Sequence, residues 1–180
     1  LAERSDSSKL KHVAQSAGQL DTSPITGVHT WWDQPWLASP HAAIVGRLCQ
    51  WVFPDLLATT SDLNQPQTET GKSSYYQIVI SSSRELPRGD SRAAGKMIVD
   101  DLAKVFPEVR KRELLKLQVV TDPRAVFSVQ PGVLELRPKS RLTDRITLAG
   151  DWTHTGWPAT MEGAIRSGEN AATAICDASI

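Results

Sequence analysis

The residues best suited to chemistry lie near the end of the chain, where residues 148–168 read LAGDWTHTGWPATMEGAIRSG. The apolar run over 146–149 predicts a short buried strand. Gly150 permits a sharp turn out of that strand, and Asp151 places one carboxylate at its carboxyl end. A loop rich in Trp and Gly follows, and a helix is predicted after the loop.

The predicted helix is amphipathic and begins near Ala159. Pro158 suits its first turn, where a missing N–H costs nothing. Because the first N–H groups of a helix have no partner within it, a strand, a glycine turn and a helix N-terminus together predict a site for an anion or a hydrogen-bond acceptor. One predicted face carries Met161, Ile165, Gly168, Ala172 and Ile175, and the other carries Glu162, Arg166, Glu169, Thr173 and Asp177.

This segment resembles the C-terminal flavin-binding motif of the FAD-dependent amine oxidase and phytoene desaturase superfamily, in which an AGD strand end precedes a MEGA…SG…AA helix. With Trp157 followed by Pro158, it is most similar to the squalene-associated FAD-dependent desaturases, the hydroxysqualene dehydroxylases of hopanoid biosynthesis. The alternative is an ordinary strand–loop–helix unit packed with small residues. Agreement in order and spacing along the whole segment favours the superfamily.

The resemblance implies FAD as the cofactor and assigns roles to the matching residues. The backbone N–H of Met161 would meet the N1/O2 edge of the flavin, where the helix dipole favours the negative charge of the reduced form. Asp151 would accept hydrogen bonds from the ribityl or pyrophosphate region, and Trp157 would lie beside the isoalloxazine. The predicted cofactor-binding set is Gly150, Asp151, Trp157, Pro158, Ala159, Thr160 and Met161.

Two ionisable side chains near this motif have competing explanations. Glu162 is explained as a charge at the helix N-terminus that pairs with Arg166 four residues on. His154 is the candidate for a catalytic proton donor near the flavin, and a loop histidine without that role is the alternative. We predict no metal site.

Aromatic residues in the first half of the chain could form the wall of a site for a long apolar substrate. In the resembled family this region is the antiparallel sheet under the substrate cavity, and a polyene needs apolar and aromatic surface. Core packing is the alternative for each residue taken singly. His29 and His41 lie in the same region and are predicted to be structural. The predicted substrate-binding set is Trp31, Trp51 and Phe53.

The resemblance implies hydride transfer with flavin N5. In a hydroxysqualene dehydroxylase, an allylic alcohol ionises with acid assistance and hydride from reduced FAD yields squalene. A carotenoid or phytoene-type desaturase would move hydride from the substrate to FAD. An amine oxidase is a further enzyme hypothesis, and a truncated, non-catalytic isoprenoid-binding module is the hypothesis from a different class.

Length and composition are those of a globular protein with its own core. The chain has 180 residues, of which 20 are basic and 20 acidic. Because its net charge is zero, there is no electrostatic reason to expect a nucleic-acid partner. Cys49 and Cys176 are predicted to be reduced thiols of a cytoplasmic protein. An apolar substrate makes peripheral contact with the inner membrane a further expectation.

The missing dinucleotide motif predicts that this chain is part of a larger enzyme. The chain starts at Leu1 and has no G-x-G-x-x-G, the motif that holds the FAD pyrophosphate. We therefore expect the C-terminal part of an FAD-dependent oxidoreductase, inactive alone, whose partner is the N-terminal FAD-binding half of the same protein.

The elements that must position these residues predict an α+β fold. A mixed, mainly antiparallel sheet is expected from strands near 25–32, 42–53, 75–81 and 114–121, packed with a helix over 92–106. The closing strand and helix, 145–176, are assigned to a Rossmann-like FAD-binding domain. Without the sheet it should join, the apolar face of that helix is expected to be exposed or repacked.

The predicted domain organisation has three parts. A polar N-terminal segment covers 1–24, a substrate-binding region covers 25–138, and the C-terminal part of the FAD-binding domain covers 139–180. Residues 54–73 lack apolar periodicity and predict a loop, either a surface insertion between paired strands or a lid.

Overall fold

The computed structural model describes residues 8–54, 67–68, 71–143 and 145–177. The chain divides into two compact units. The sheet unit is Ser23–Ala125, and the loop–helix unit combines Leu1–Thr22 with Val126–Ile180. Helices and an antiparallel sheet occur together, which confirms the predicted α+β class.

The elements follow one another along the chain as helices and strands of very different lengths. The helices are α1 (Ser8–Gly18), α2 (Ser91–Val105), α3 (Val133–Leu136) and α4 (Met161–Cys176), with a 3₁₀ helix at Pro107–Lys111. The strands are β1 (Thr22–Trp32), β2 (Ala42–Ala43), β3 (Trp51–Pro54), β4 (Gln67–Thr68), β5 (Gly71–Lys72), β6 (Ser74–Ser81) and β7 (Leu114–Phe127).

A five-stranded sheet in the order β2-β3-β6-β1-β7 forms the centre of the sheet unit. The strands predicted near 25–32, 75–81 and 114–121 are present as β1, β6 and β7. The two short strands predicted over 42–46 and 49–53 are present as β2 and β3, both shorter than predicted because a turn in which Gly46 has a φ of 71° separates them. The N–H of Ile44 donates to the carbonyl of Gln50 across that turn.

The segment predicted as a loop over 54–73 contains the antiparallel pair β4 and β5. Residues 55–66 and 69–70 lie outside the described residues. The choice between a surface insertion and a lid therefore stays a prediction.

Strand β1 alternates between a buried face and a half-buried face, as its sequence predicted. Val28, Thr30 and Trp32 are buried on the side that packs with α2, whereas His29 and Trp31 are half-buried on the opposite side. We call this opposite side, which carries His29 and Trp31, the open face. Among the residues that the structure describes, the core therefore lies on one side of the sheet.

The sequence of helix α2 predicts a buried stripe of Met97, Ile98, Leu102, Val105 and Phe106, and the structure corrects that prediction at Met97. Asp90 caps the helix, and its Oδ1 accepts from the N–H of Ala93 at 2.9 Å. A Cβ on Gly95 would lie 3.2 Å from the side chain of Leu117, so the helix lies close to β7 at this point. This orientation buries Ile98 and leaves Met97 exposed.

The phenol of Tyr76 satisfies backbone groups in the core, so Tyr76→Phe is expected to destabilise the sheet unit. Its oxygen accepts from the N–H groups of Trp36 and Leu37 at 2.9 and 3.3 Å. Leaving a buried donor without an acceptor costs about 1–3 kcal/mol of unfolding free energy. Urea unfolding measures the loss, and a variant as stable as the wild type would contradict this account.

Cys49 is buried, and its thiol is expected to resist alkylation in the folded protein. Its N–H donates to Asp101 Oδ2 at 3.0 Å, and its Sγ lies 3.8 Å from the Ile98 carbonyl oxygen. Burial, followed by the charge of Asp101 and a hydrogen bond to it, raises the pKa of Cys49 to about 12. At pH 8 we expect iodoacetamide to modify the exposed Cys176 and to reach Cys49 only after unfolding, as measured by mass spectrometry.

The raised pKa of Cys49 also predicts a loss of stability at alkaline pH. The unfolded thiol ionises near pH 9, whereas the folded thiol keeps its proton up to about 12. Above pH 9 the unfolded state therefore binds fewer protons, and this contribution falls by about 1.4 kcal/mol for each further pH unit until the folded thiol ionises. Cys49→Ala should show a shallower decline between pH 9 and 11 in urea unfolding, and a decline of equal slope would contradict the assignment.

The strand predicted over 146–149 does not form, although the loop it leads into is well defined. Among the described residues of this stretch there is one bridge, between Arg141 and Thr147, and the N–H of Leu148 donates to the carbonyl of Ser140 at 2.7 Å. No described strand lies beside the run to complete a ladder. Ile146 is consequently exposed rather than buried.

Helix α4 buries a different face from the apolar one. Thr160 has an extended backbone and caps the helix, which therefore starts at Met161 rather than at Ala159. Exposure of the apolar face was one of the two outcomes expected without a neighbouring sheet. The buried residues are Gly163, Ser167 and Ala171, whereas Met161, Ile165 and Ile175 are 87%, 60% and 49% exposed. Within the part of the chain that the structure describes, no helix combines the length and apolar character needed to cross a bilayer.

Candidate functional site

The loop before α4 begins at a glycine that no other residue could replace without strain. Gly150 has a φ of +139°, and a Cβ there would overlap the indole nitrogen of Trp152. Its N–H donates to Ser167 Oγ at 2.6 Å, and its carbonyl accepts from the N–H and hydroxyl of Thr153. Asp151 follows, half-buried. The start of the loop is therefore tied directly to the side of α4.

Arg137 holds the same loop from the other side. Its Nη2 donates to the carbonyl oxygens of Asp151 and Thr153 at 2.9 and 2.5 Å, and reaches Thr155 Oγ1 at 3.5 Å. Its guanidinium lies 4.8 Å from the ring centre of Phe127. Burial lowers the pKa of Arg137, and the charge of Asp151 partly opposes that effect. Because the side chain is only 6% exposed, it acts as an internal clamp on the loop.

The N-terminus of α4 meets the loop at close range. Thr160 Oγ1 accepts from the N–H of Gly163 at 3.1 Å, which caps the helix. A Cβ on Gly163 would lie 2.7 Å from the carbonyl oxygen of Pro158, so glycine allows this approach. The N–H groups of Met161 and Glu162 lie in the first turn, where no carbonyl of the same helix reaches them. They are available to an acceptor outside the helix.

A cavity of about 360 Å³ in the loop–helix unit adjoins this N-terminus. Its lining includes Arg137, Gly156, Trp157 and Pro158. The ring of Trp157 is 41% exposed, and the guanidinium of Arg166 lies 4.7 Å from its centre. Arg166 is itself paired with Glu162 at 2.6 Å, which agrees with a structural explanation of that carboxylate. Trp157 is therefore an orientated aromatic surface at the edge of a cavity.

Not every predicted site residue joins this arrangement. His154 donates its backbone N–H to the Pro138 carbonyl at 2.8 Å, and its side chain is exposed on the loop. Ala159 is half-buried between Pro158 and the cap. A catalytic role for His154 stays a prediction.

The three predicted substrate-binding residues lie on one surface, the open face of the sheet. In the register of β3, β6 and β1, Trp51 pairs with Val79, Phe53 with Gln77, and Trp31 with Tyr75. Residues paired across antiparallel strands project to the same face. Trp51 and Phe53 are 41% and 39% exposed.

The aromatic rings of the open face form two clusters. The rings of Trp51 and Phe53 stack with centres 5.7 Å apart and planes within 6°, and the ring of His41 lies 6.3 and 6.4 Å from them. In the second cluster, Trp31 lies 5.2 Å from Tyr75. Trp32 and Trp36, by contrast, are buried in the core. Register thus separates the tryptophans that face outward from those that only pack.

Comparison with known proteins places the chain in a family. A family model described as flavin containing amine oxidoreductase matches residues 5–176. This chain belongs to that family. The flavin that the family carries is FAD, which confirms the predicted cofactor class.

The relatives that the chain resembles are isoprenoid enzymes by name. It is 29% identical over 169 residues to the 15-cis-phytoene desaturase of Narcissus pseudonarcissus, covering 89% of this chain and 29% of that protein. It is 32% identical over 141 residues to the hydroxysqualene dehydroxylase of Zymomonas mobilis, covering 77% and 30%. With the hydroxysqualene dehydroxylase of Rhodopseudomonas palustris it shares 48% identity over 59 residues, or 32% and 14% of the two chains.

A solved structure shares the fold. An oxidoreductase from Methanosarcina mazei aligns with a TM-score of 0.54 at 16% identity, covering 93% of this chain and 38% of the other. The chain thus spans less than a third of the length of the phytoene desaturase and of the Zymomonas relative.

The residues of the loop–helix unit fit a family member's flavin. Gly150 and Gly163 have no side chain at positions where a Cβ would collide with neighbouring atoms. The first-turn N–H groups of α4 have no acceptor within the helix and are available to a ligand. The Nε of Arg137 is buried with no hydrogen-bond partner among the described residues. The flavin would be held by Thr160, Met161 and the loop that precedes α4.

Sequence reasoning missed three features of these surfaces. The clamp of Arg137 joins residues that are 14 to 18 positions apart, a distance at which no local pattern signals contact. The contact between His29 and Tyr75 depends on the register of two strands. Ser167, by contrast, could have been found from its i, i+4 spacing with Gly163 and Ala171, all three being small residues.

Proposed function

We propose that this chain is the C-terminal part of an FAD-dependent oxidoreductase that converts hydroxysqualene to squalene. The observation that carries the proposal is that Trp31, Trp51 and Phe53 project from one face of one sheet. Such a surface suits a long apolar chain, which makes contact through shape and dispersion rather than hydrogen bonds. Relatives with hydroxysqualene dehydroxylase in their names support the choice of substrate.

In this proposal the loop–helix unit orientates the reacting ring of the cofactor. When bound, the flavin supplies or accepts hydride at N5. The N–H groups of Met161 and Glu162, at the positive end of the α4 dipole, would stabilise negative charge on the flavin. Trp157 would exclude water from one side, and Arg137 would keep the loop in place.

We further propose that the exposed apolar side of α4 packs in the complete protein. Met161, Ile165 and Ile175 would lie against a Rossmann-like FAD-binding domain supplied by the N-terminal half. We propose a cytoplasmic protein that touches the inner membrane, where its apolar substrate would partition.

A phytoene-type desaturase is the second candidate. It is favoured by the alignment with the Narcissus phytoene desaturase, which covers more of this chain than the alignments with hydroxysqualene dehydroxylases. That reaction would run hydride from the substrate to the cofactor and would need no proton donor at a hydroxyl group.

The test uses the full-length protein and this chain side by side. We expect flavin absorbance bands in the purified full-length protein and none in the 180-residue chain alone. The full-length protein, with its flavin reduced in the absence of air, should then convert hydroxysqualene to squalene. Flavin without conversion, together with desaturation of phytoene by the oxidised form, would favour the second candidate. No flavin in either protein would overturn the cofactor assignment and favour a non-catalytic isoprenoid-binding module.

A further inference from the structure

A polar pair interrupts the aromatic open face of the sheet. His29 Nδ1 and Tyr75 Oη are 2.5 Å apart and joined by a hydrogen bond, although their strands are separated by 46 positions in sequence. Both side chains are half-buried. Their rings lie 6.0 Å apart, and each is close to the ring of Trp31. The pair is therefore held rigidly within an aromatic cluster.

The bond leaves the other imidazole nitrogen of His29 for a different role. A hydroxyl group both donates and accepts, so Tyr75 can accept from Nδ1–H of the imidazolium or donate to Nδ1 of the neutral ring. The imidazolium carries a proton on each nitrogen, so when its Nδ1–H donates to Tyr75 the ring is held in place and Nε2–H is offered to another acceptor. Tyr75 therefore sets the direction in which His29 offers its Nε2–H.

Space for a ligand adjoins this pair on the same strand. Gly27 lies two residues before His29 and so shares the open face, and no heavy atom lies within 4 Å of the position that its Cβ would occupy. Gly27 pairs with Val79, and Val79 pairs with Trp51. The open face thus lacks a side chain at Gly27, beside Val79 and two residues from the polar pair.

The cluster also contains a donor that lacks an acceptor. The Nε1 of Trp31 is buried and has no hydrogen-bond partner among the residues that the structure describes. Leaving such a donor unsatisfied is unfavourable, so an oxygen atom entering the cluster would be favoured over a methylene. A charged group, Lys116, also contacts the cluster, with its Nζ 4.7 Å from the centre of the Trp31 ring.

We propose that His29 is the proton donor to a hydroxyl group of the isoprenoid substrate, orientated by Tyr75 and with the hydrocarbon lying across Gly27. The inference rests on the proposed function and replaces the earlier assignment of His29 as structural. His29 is the catalytic residue, because Nε2 would touch the substrate oxygen. Tyr75 is a positioning residue, because it acts through His29.

The step balances with the reductant already named. The allylic C–O bond breaks with its electron pair on oxygen, which takes the Nε2 proton of the His29 imidazolium and leaves as water. The reduced flavin, when bound, would supply the hydride that replaces this oxygen on the carbon, and would be oxidised by two electrons. His29 then regains its proton from solvent. A hydrocarbon substrate has no oxygen to protonate, so this pair favours the dehydroxylation over the desaturation.

The activity test uses the full-length enzyme with its flavin reduced and hydroxysqualene as substrate. His29→Gln should lower kcat by about 10²–10⁴-fold, the usual contribution of a general acid. KM should rise only by the factor by which the wild type prefers hydroxysqualene to squalene, because the apolar contacts remain. In His29→Ala, added imidazole should restore part of kcat, an effect that a purely structural histidine would not show. Tyr75→Phe should lower kcat by about tenfold, as expected for the partner that orientates a functional histidine.

Two variants provide matched controls. His12→Gln changes an exposed histidine of α1. Tyr76→Phe removes a phenol from β6, the strand that carries Tyr75, on the face opposite to Tyr75. Both should keep the wild-type kcat per folded, flavin-loaded molecule. The proposal would be overturned if His29→Gln kept the wild-type kcat, or if imidazole did not restore any of the kcat lost in His29→Ala. Either result would leave the proposed function intact.

A binding measurement separates this inference from the proposed function. Quenching of tryptophan fluorescence in the full-length protein should show tighter binding of hydroxysqualene than of squalene, and Tyr75→Phe and His29→Gln should abolish that preference. If the wild type binds the alcohol preferentially but does not turn it over, the proposed reaction fails and the polar subsite stands. Equal affinities for the two ligands in the wild type would overturn the subsite.

Discussion

Gly150→Ala is expected to destabilise the protein by about 1–3 kcal/mol from backbone strain alone, because alanine must adopt a φ that L-residues rarely take. The new Cβ would also overlap the indole of Trp152, so either the ring or the loop must move. Both movements disturb the N–H of Gly150 and its bond to Ser167. We therefore expect urea unfolding at lower concentration and a lower ratio of flavin to protein in the full-length enzyme.

Two other glycines make the Gly150 experiment specific. Gly156 has a φ of +77° with open space around its Cβ position, so Gly156→Ala tests strain without collision. Gly168 lies inside α4 with no heavy atom within 4 Å of that position, so Gly168→Ala should stabilise the helix by about 0.5–1 kcal/mol. If Gly150→Ala loses no more stability and flavin than Gly156→Ala, the collision with Trp152 has no effect and this explanation is wrong.

Replacing Arg137 by Met is expected to release the loop that precedes α4. The substitution keeps apolar volume near Phe127 but removes the donor shared by the carbonyls of Asp151 and Thr153. Because a hydrogen bond to a charged group contributes about 1.5–3 kcal/mol, we expect a loss of at least that size in the free energy of unfolding. Flavin retention in the full-length enzyme should fall in parallel, since the loop carries Trp157 and leads to the N-terminus of α4.

Arg137→Lys distinguishes charge from geometry at this site. Lysine keeps the charge, but a compact ammonium cannot reproduce the planar fork of a guanidinium. We expect a loss of stability and flavin between those of the wild type and Arg137→Met. Arg145→Met, at an exposed arginine of the same unit, should behave as the wild type. A lysine variant as stable as the wild type would indicate that positive charge alone holds the loop.

Much of the sheet unit was predictable because its residues alternate strictly. In β1 the even-numbered positions from 26 to 32 are buried and the odd ones are not, as the sequence pattern indicated. The two short strands within 42–53 are shorter than the apolar pattern indicates, because a left-handed Gly46 next to an exposed Val45 turns the chain between them. The buried stripe of α2 failed at Met97, because contact at Gly95 and Leu117 sets the rotation of the helix.

The flavin motif was predictable from the order of residues in one short stretch, whereas the side chains that hold this stretch in place were not. Gly150, the Thr160 cap and the start of α4 follow from residue types within one short stretch, where spacing and backbone preference act locally. Arg137 was not found, because its partners are defined by how the chain folds back on itself. The same holds for the exposure of Ile165, since hydrophobic periodicity identifies an apolar face but not the surface that covers it.

By itself, the sequence determined the family, the flavin class of cofactor and the α+β composition, because these depend on local motifs and on the periodicity of apolar residues. Only the tertiary structure decided which aromatic residues share a face and that His29 meets Tyr75, because strand register joins residues 46 positions apart. Register depends on turns and on packing of the whole sheet, and a shift by one residue would move each of these side chains to the opposite face.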